Sequence, residues 1–194
     1  MVPRVYDLSH KLNANIYVYP GDLAFSSSHV ASHFFDDGKK IDELDLSTLI
    51  GPAYVVDVRG KKARHRITWD DLKPFETQIK NHRIIFIQTG WSEHWGLPAY
   101  IDHPFLDGKA AEMLIVYGVN VIGVDAFSPD ETKADGSMGD FSAHKVILGS
   151  GAVIVENLTG LDKLPSNSVE VILLPLNVEG CDASPVRAVG RERT

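Results

Sequence analysis

The chain of 194 residues has a single cysteine, Cys181. That absence excludes an intrachain disulfide framework and every zinc site built on cysteine pairs. With no activating neighbour in sequence, Cys181 reads as a small buried thiol. No uninterrupted apolar run approaches the ~18–20 residues needed to cross a bilayer. The first residues, Met1 to Asp7, carry no apolar h-region, so a cleaved signal peptide is not expected. Positive charge is also scarce: 19 Lys plus Arg stand against 26 Asp plus Glu, a net charge of −7. Phosphate backbones reward a basic surface, so nucleic acid is not an expected partner, and neither is a membrane. A cytoplasmic location follows as the expectation.

Several catalytic signatures are missing as well. There is no Gly-x-x-x-x-Gly-Lys-Ser/Thr loop, no Gly-x-Ser-x-Gly elbow and no His-Glu-x-x-His helix. Gly149-Ser150-Gly151 begins a dinucleotide-like pattern, but Ile154 stands at the third glycine position and the stretch precedes an expected strand instead of following one.

The apolar fraction of 44% and charged fraction of 23% are those of a globular chain. Runs rich in β-branched residues predict strands over Ala53–Val58, Arg83–Gln88, Val121–Val124, Ala152–Val155 and Val169–Leu176. Tyr17 to Asp22 predicts a turn. Thr68 followed by Trp69-Asp70-Asp71-Leu72 predicts a capped helix start. Asp107 to Tyr117 places Ala110, Ala111, Met113, Leu114 and Tyr117 on one helical face, with Gly118 as its C-terminal stop. Ser142 to Leu148 predicts a further short helix ended by Gly149-Ser150-Gly151. With no repeat and no linker, the expected fold class is mixed α/β, one domain spanning residues 1–194.

Histidine and carboxylate chemistry remains. His65 and His82, beside Lys and Arg, read as surface residues; His94 and His103 read as packing or rim residues. His29-Val30-Ala31-Ser32-His33 followed by Asp36 and Asp37 reads either as a solvated polar loop or as a divalent-metal site. His144 comes from the predicted short helix. Glu156 ends the apolar run Ala152 to Val155, where a carboxylate needs a metal, a salt bridge or a helix N-terminus to satisfy it. Asp125, Ser128 and Asp130 follow a strand, the usual home of catalytic groups, and equally suit turn or helix capping.

Taken in order, certain stretches resemble a known family. They are Asp7-Leu8-Ser9-His10, Val18-Tyr19-Pro20-Gly21-Asp22, His33-Phe34-Phe35, Gly38-Lys39-x-Ile41-Asp42-Glu43-Leu44, Ile50-Gly51-Pro52-Ala53, Thr89-Gly90-Trp91, Gly123-Val124-Asp125-x-x-Ser128, His144-x-x-x-Leu148, Glu156-Asn157-Leu158, Pro175-Leu176 and Gly180-x-Asp182-x-Ser184-Pro185-Val186-Arg187. The family is that of the cyclase-like metal-dependent hydrolases, which includes bacterial arylformamidases (kynurenine formamidases) and isatin hydrolases. The resemblance implies a swivelling β/β/α fold, usually a homo-oligomer, that hydrolyses amide, formamide or lactam bonds of a small-molecule substrate, aromatic amides among them, with Zn or Mn. It implies His29, His144 and Glu156 as metal ligands, His33 and Glu156 as catalytic residues, and Trp91 as part of an aromatic pocket wall.

One departure bears on that expectation. The family's main motif is His-x-Gly-Thr-His-x-Asp-x-Pro-x-His, and here only residues 23–32 separate Asp22 from His33. Three registers compete. In the first, His33 is the final acid/base histidine and His29 the first ligand, with the middle of the motif deleted. In the second, His29 is the second ligand. In the third, His29 to His33 is the opening of the motif, with Phe35 in place of its Asp. The first keeps Phe34 through Leu44 in register and is preferred. Each lacks at least one ligand, with Asp36 or Asp37 as substitutes, and a two-metal centre is not expected. The expected function is a metal-dependent C–N hydrolase. The alternative is a degenerate member that binds a small ligand or a partner subunit without turnover, and a weaker third reading is a structural oligomer.

Overall fold

Valine and isoleucine runs without polar alternation suit strands buried on both faces, and the computed structural model arranges them that way. It describes residues 4–10, 27–29, 34–35, 38–133, 139–165 and 169–193. The strands are β1 (Val5–Asp7), β2 (Ser27–His29), β3 (Ile50–Asp57), β4 (Arg66–Ile67), β5 (Ile84–Gln88), β6 (Phe105–Leu106), β7 (Val121–Val124), β8 (Val153–Val155), β9 (Val169–Ile172), β10 (Ala183–Pro185) and β11 (Val189–Glu192). The α-helices are α1 (Trp69–Leu72), α2 (Glu76–Lys80), α3 (Gly108–Val116) and α4 (Ser142–Gly149).

Nine strands form one sheet in the order β1-β11-β9-β3-β5-β7-β8-β2-β10, and β4 pairs with β6 apart from it. The centre, β3-β5-β7-β8, is parallel. β9 joins it antiparallel along β3, and β2 joins it antiparallel along β8. Along β5, Ile85 and Ile87 point to a core built with Leu72 of α1, Ile79 of α2, Leu114 of α3 and Ile147 of α4. Ile84 and Phe86 point to the opposite core, with Leu8, Leu158 and the β9 residues Val169 and Val171. A strand flanking the parallel centre thus packs over its own sheet, so the mixed sheet is curled.

The two long helices form as predicted, and the same device ends both. At α3, Gly118 (φ +84) takes the left-handed conformation. There Gly118 N–H donates to Ile115 O at 2.8 Å and Val119 N–H to Leu114 O at 3.1 Å. At α4, Gly151 (φ +79) does the same, with bonds to Leu148 O at 2.9 Å and, from Ala152 N–H, to Ile147 O at 3.2 Å. Each turn delivers the chain straight into β7 or β8, so Gly149-Ser150-Gly151 is a helix stop. Near α1, Asp71 reaches back to accept from Thr68 N–H at 2.9 Å.

Two expectations change in detail. β9 ends at Ile172 instead of running to Leu176; Pro175 has no N–H for a ladder and makes only an isolated bridge with Val186. Cys181 is half-buried, not buried, because it lies in the loop before β10, where its carbonyl accepts from Ile41 N–H at 2.8 Å. The turn over Tyr17 to Asp22 lies outside the described residues. Among those residues no helix is long and apolar enough to cross a membrane.

Gly123 in β7 is where the sheet has no room. A Cβ there would stand 2.5 Å from Phe86 Cδ1 and 2.7 Å from Leu158 Cδ1. Gly123→Ala is expected to lower stability by about 1–3 kcal/mol, the usual cost of overpacking, as a reduced urea midpoint at unchanged slope.

Candidate active site

In open α/β sheets, chemistry collects outside the carboxyl ends of the parallel strands. Here those ends carry Thr89-Gly90 after β5, Asp125 after β7 and Glu156-Asn157 after β8, with His144 arriving from the first turn of α4. Asp125, Asp130, His144 and Glu156 are all buried, and among the described buried polar residues there is no Lys or Arg. The site therefore carries an excess of buried carboxylates.

Asp125 holds a turn. Its carboxylate accepts from Thr89 N–H at 2.7 Å, Thr89 Oγ1–H at 2.6 Å and Gly90 N–H at 2.8 Å. Burial pushes its pKa above the ordinary aspartate value, against these hydrogen bonds, which pull it down. From that turn hangs the segment bearing Trp91, Trp95 and Tyr100. Trp91 is tied within it, its Nε1–H donating to Ala99 O at 3.1 Å and its ring 4.5 Å from His94.

Trp95, which the sequence did not single out, faces inward. Its ring meets Tyr100 edge-on at 5.3 Å, and Tyr100 meets Phe127 edge-on at 5.9 Å. The Tyr100 hydroxyl donates to Asn157 Oδ1 at 2.8 Å. Burial, with the charges of Asp125 and Glu156, holds the tyrosine pKa far above normal. On its other side Trp95 stacks on His10, centroids 4.1 Å apart and planes 3° from parallel. An antiparallel bridge between Ser9 and Leu158 brings His10 across from Asn157. Burial lowers the His10 pKa to about 4.

Asp130 and His144 form the second cluster. His144 Nδ1 lies 2.6 Å from Asp130 Oδ2, and its Nε2 lies 3.4 Å from Glu156 Oε1. The rings of Phe34 at 5.4 Å and Phe141 at 5.8 Å flank the imidazole. Ser128 Oγ accepts from Asp130 N–H at 3.2 Å, so Asp125, Ser128 and Asp130 all serve turns or caps, and Asp130 touches a candidate ligand as well.

His103 reads from sequence as a packing or rim residue, and it takes the packing role, wholly buried at 1% exposure. Its Nδ1 is 2.9 Å from Pro104 O and its Nε2 3.1 Å from Thr132 Oγ1. A carbonyl only accepts, so Nδ1–H donates to it and Nε2 accepts from the threonine hydroxyl. Burial lowers its pKa to about 4, so the ring is neutral at pH 7. Arg64 stands close by, donating to Thr132 O at 2.6 Å and Asp102 Oδ1 at 2.5 Å. Arg64, Phe141 and Asn157, the non-glycine residues of the described chain with positive φ, all border this region, where backbone strain commonly collects.

The candidate ligands meet unevenly. His144 and Glu156 come together. His29 stands in β2, opposite Ile154 of β8 and Ala183 of β10. His33, Asp36 and Asp37 lie outside the described residues. Among the described residues no group of three His, Cys, Asp or Glu is placed to hold a metal. The 3.4 Å between His144 Nε2 and Glu156 Oε1 nevertheless equals the spacing of about 3.4 Å between N and O donors that share a tetrahedral zinc at ~2.0–2.2 Å. The two side chains fit two positions of such an ion.

The Cyclase family, described as "Putative cyclase", matches residues 6–131. This chain belongs to that family. It is 30% identical over 213 aligned positions to a kynurenine formamidase of Geobacillus thermodenitrificans, with 96% of each chain covered. The alignment is longer than the chain itself, so the relative carries residues with no counterpart here. The fold matches that of isatin hydrolase A from Ralstonia solanacearum, with a TM-score of 0.83 and 19% identity over 98% of this chain and 92% of that one. It also matches a Bacillus stearothermophilus protein described as a predicted metal-dependent hydrolase, with a TM-score of 0.77 and 20% identity over 100% of both chains.

His103 sets an expected acid response. The unfolded chain takes up its proton near pH 6.5, the native ring only near pH 4. Stability from this residue is therefore present above pH 6.5 and lost as pH falls toward 4. Between pH 7 and 5 the unaltered protein is expected to lose about 2 kcal/mol more than His103→Gln, as read from urea midpoints at the two pH values.

Proposed function

We propose that this chain hydrolyses acyl C–N bonds (amides, formamides or lactams) in small aromatic substrates. The observation that carries the reading is His144 Nε2 set 3.4 Å from Glu156 Oε1, at the carboxyl ends of the parallel strands of a Cyclase-family chain. The kynurenine formamidase and isatin hydrolase relatives, whose names both denote hydrolysis of an acyl C–N bond beside an aromatic ring, support the substrate class. A divalent ion, zinc or manganese, held by His144, Glu156 and His29, supplies carbonyl polarisation and a water of lowered pKa when bound.

The chain's own groups do the rest. His33, the acid/base residue by its place in the motif, takes the proton from the attacking water and passes it to the leaving nitrogen as the C–O bond forms and the C–N bond breaks. Asp125 fixes the turn from which Trp91 and Trp95 form an aromatic wall. Tyr100 and Asn157 close the space behind Glu156 against water. The same reading takes residues 1–194 as one cytoplasmic catalytic domain that associates with copies of itself; Leu174, Leu176 and Val178, exposed between β9 and β10, support association.

A second reading is a member that binds a small ligand without turnover. It is favoured by the ten residues left between Asp22 and His33 and by the lack of a three-ligand group among the described residues.

Elemental analysis after reconstitution with zinc or manganese, with an aryl formamide assay, separates the two. The hydrolase reading expects about one tightly held ion per chain, lost in His144→Ala and Glu156→Ala. It also expects His33→Ala to keep the ion and lose about 10²–10⁴-fold in kcat. No ion above background and no turnover leaves the binding reading, which then expects thermal stabilisation by aromatic amides.

A further inference from the structure

α4 begins without a cap of its own. Phe141, just before Ser142, is left-handed (φ 52) and has no side-chain oxygen to offer the first-turn N–H groups. Two carboxylates from outside the helix meet them. Asp140 Oδ1 accepts from Ser142 N–H at 3.1 Å. Asp130 Oδ1 accepts from Ala143 N–H at 2.8 Å, and its Oδ2 from His144 N–H at 2.9 Å. The same Oδ2 meets His144 Nδ1 at 2.6 Å.

An ionised carboxylate has only acceptor sites, and a neutral imidazole has only one proton. The contact of 2.6 Å between Asp130 Oδ2 and Nδ1 therefore has Nδ1–H donating to the carboxylate and turns Nε2 toward Glu156. The Nε2 to Glu156 Oε1 distance of 3.4 Å lies beyond the ~2.7–3.2 Å of an N–H···O hydrogen bond. The carboxylate is also unable to turn away from the ring without uncapping the helix, because the backbone N–H groups of Ala143 and His144 hold it in place.

We infer that Asp130 is the positioning residue that sets the tautomer of His144: the carboxylate that caps α4 keeps the imidazole in its Nδ1–H form and presents Nε2 as a ligating lone pair. This rests on the metal-site reading for its use, while the tautomer itself stands on the Asp130 contacts. A free imidazole favours the Nε2–H form, so without Asp130 the ring is both less fixed and mostly in the wrong state to bind an ion. Outer-shell carboxylates of this kind are typically worth about 10–100-fold in metal affinity.

The test is ¹⁵N NMR of metal-free protein labelled at histidine, at pH 8, with His144 assigned by its loss in His144→Ala. The expected spectrum has a protonated Nδ1 and an unprotonated Nε2. Asp130→Ala is expected to move the proton to Nε2 and to weaken zinc binding about 10–100-fold, measured by competition with a chelating dye. Asp140→Ala, which removes only the bond to Ser142 N–H, is expected to change the tautomer not at all and zinc affinity less than about twofold. A proton on Nε2 in the unaltered protein, alone or as imidazolium, overturns the inference, and so does an equal loss of zinc affinity in Asp140→Ala. Should Asp130→Ala fail to fold, the spectrum of the unaltered protein decides. A protonated Nδ1 with no zinc uptake supports the role of Asp130 and overturns the metal-site reading instead.

Discussion

A carboxylate at 2% exposure, as Asp125 and Asp130 both are, stays in a protein interior only if donors meet its oxygens. Each of the two accepts three hydrogen bonds from another part of the chain, and the rest of the site is arranged around that requirement. Asp125 draws the Thr89-Gly90 turn against the end of β7 and so fixes where the aromatic segment starts. Asp130 draws the first turn of α4 toward the loop after β7 and so fixes where His144 stands. Glu156 follows β8 directly, and the strand itself delivers it to the same rim.

The sheet makes these distances possible. β5, β7 and β8 are in parallel register, with Phe86 beside Gly123 and Gly123 beside Val155, so their ends come out level and present Thr89, Asp125 and Glu156 at one rim. Both helix stops, Gly118 and Gly151, return the chain to the opposite rim at once. The glycine in β7 lets Phe86 and Leu158 close over the strand, which seals the core beneath the rim.

What could be read from residues alone was whatever local pattern controls. Apolar runs and left-handed glycines gave α3, α4, β5, β7 and β8 nearly to the residue, because cap chemistry acts within a few positions of chain. His144 and Glu156 emerged from their places in an ordered series of motifs. His103, Trp95, Tyr100 and His10 did not, since nothing near His103 says that Thr132 and Pro104 will enclose it, and the His10–Trp95 stack joins residues far apart in sequence. The Asp130–His144 contact was hidden for the same reason: either residue alone suits an ordinary cap or a surface helix.

The chain's last two strands lie at opposite flanks of the sheet. β10 ends the order at one side beyond β2, while β11 lies next to β1 at the other. Only Val186, Arg187 and Ala188 separate them, a stretch that reaches at most about 14 Å when fully extended. The flanks must therefore lie within that reach, and the sheet is closed into a ring by a covalent belt where hydrogen bonds do not close it. β2 is threaded into this ring between β8 and β10, so the backbone at His29 is anchored by two short antiparallel pairings and by the belt behind them.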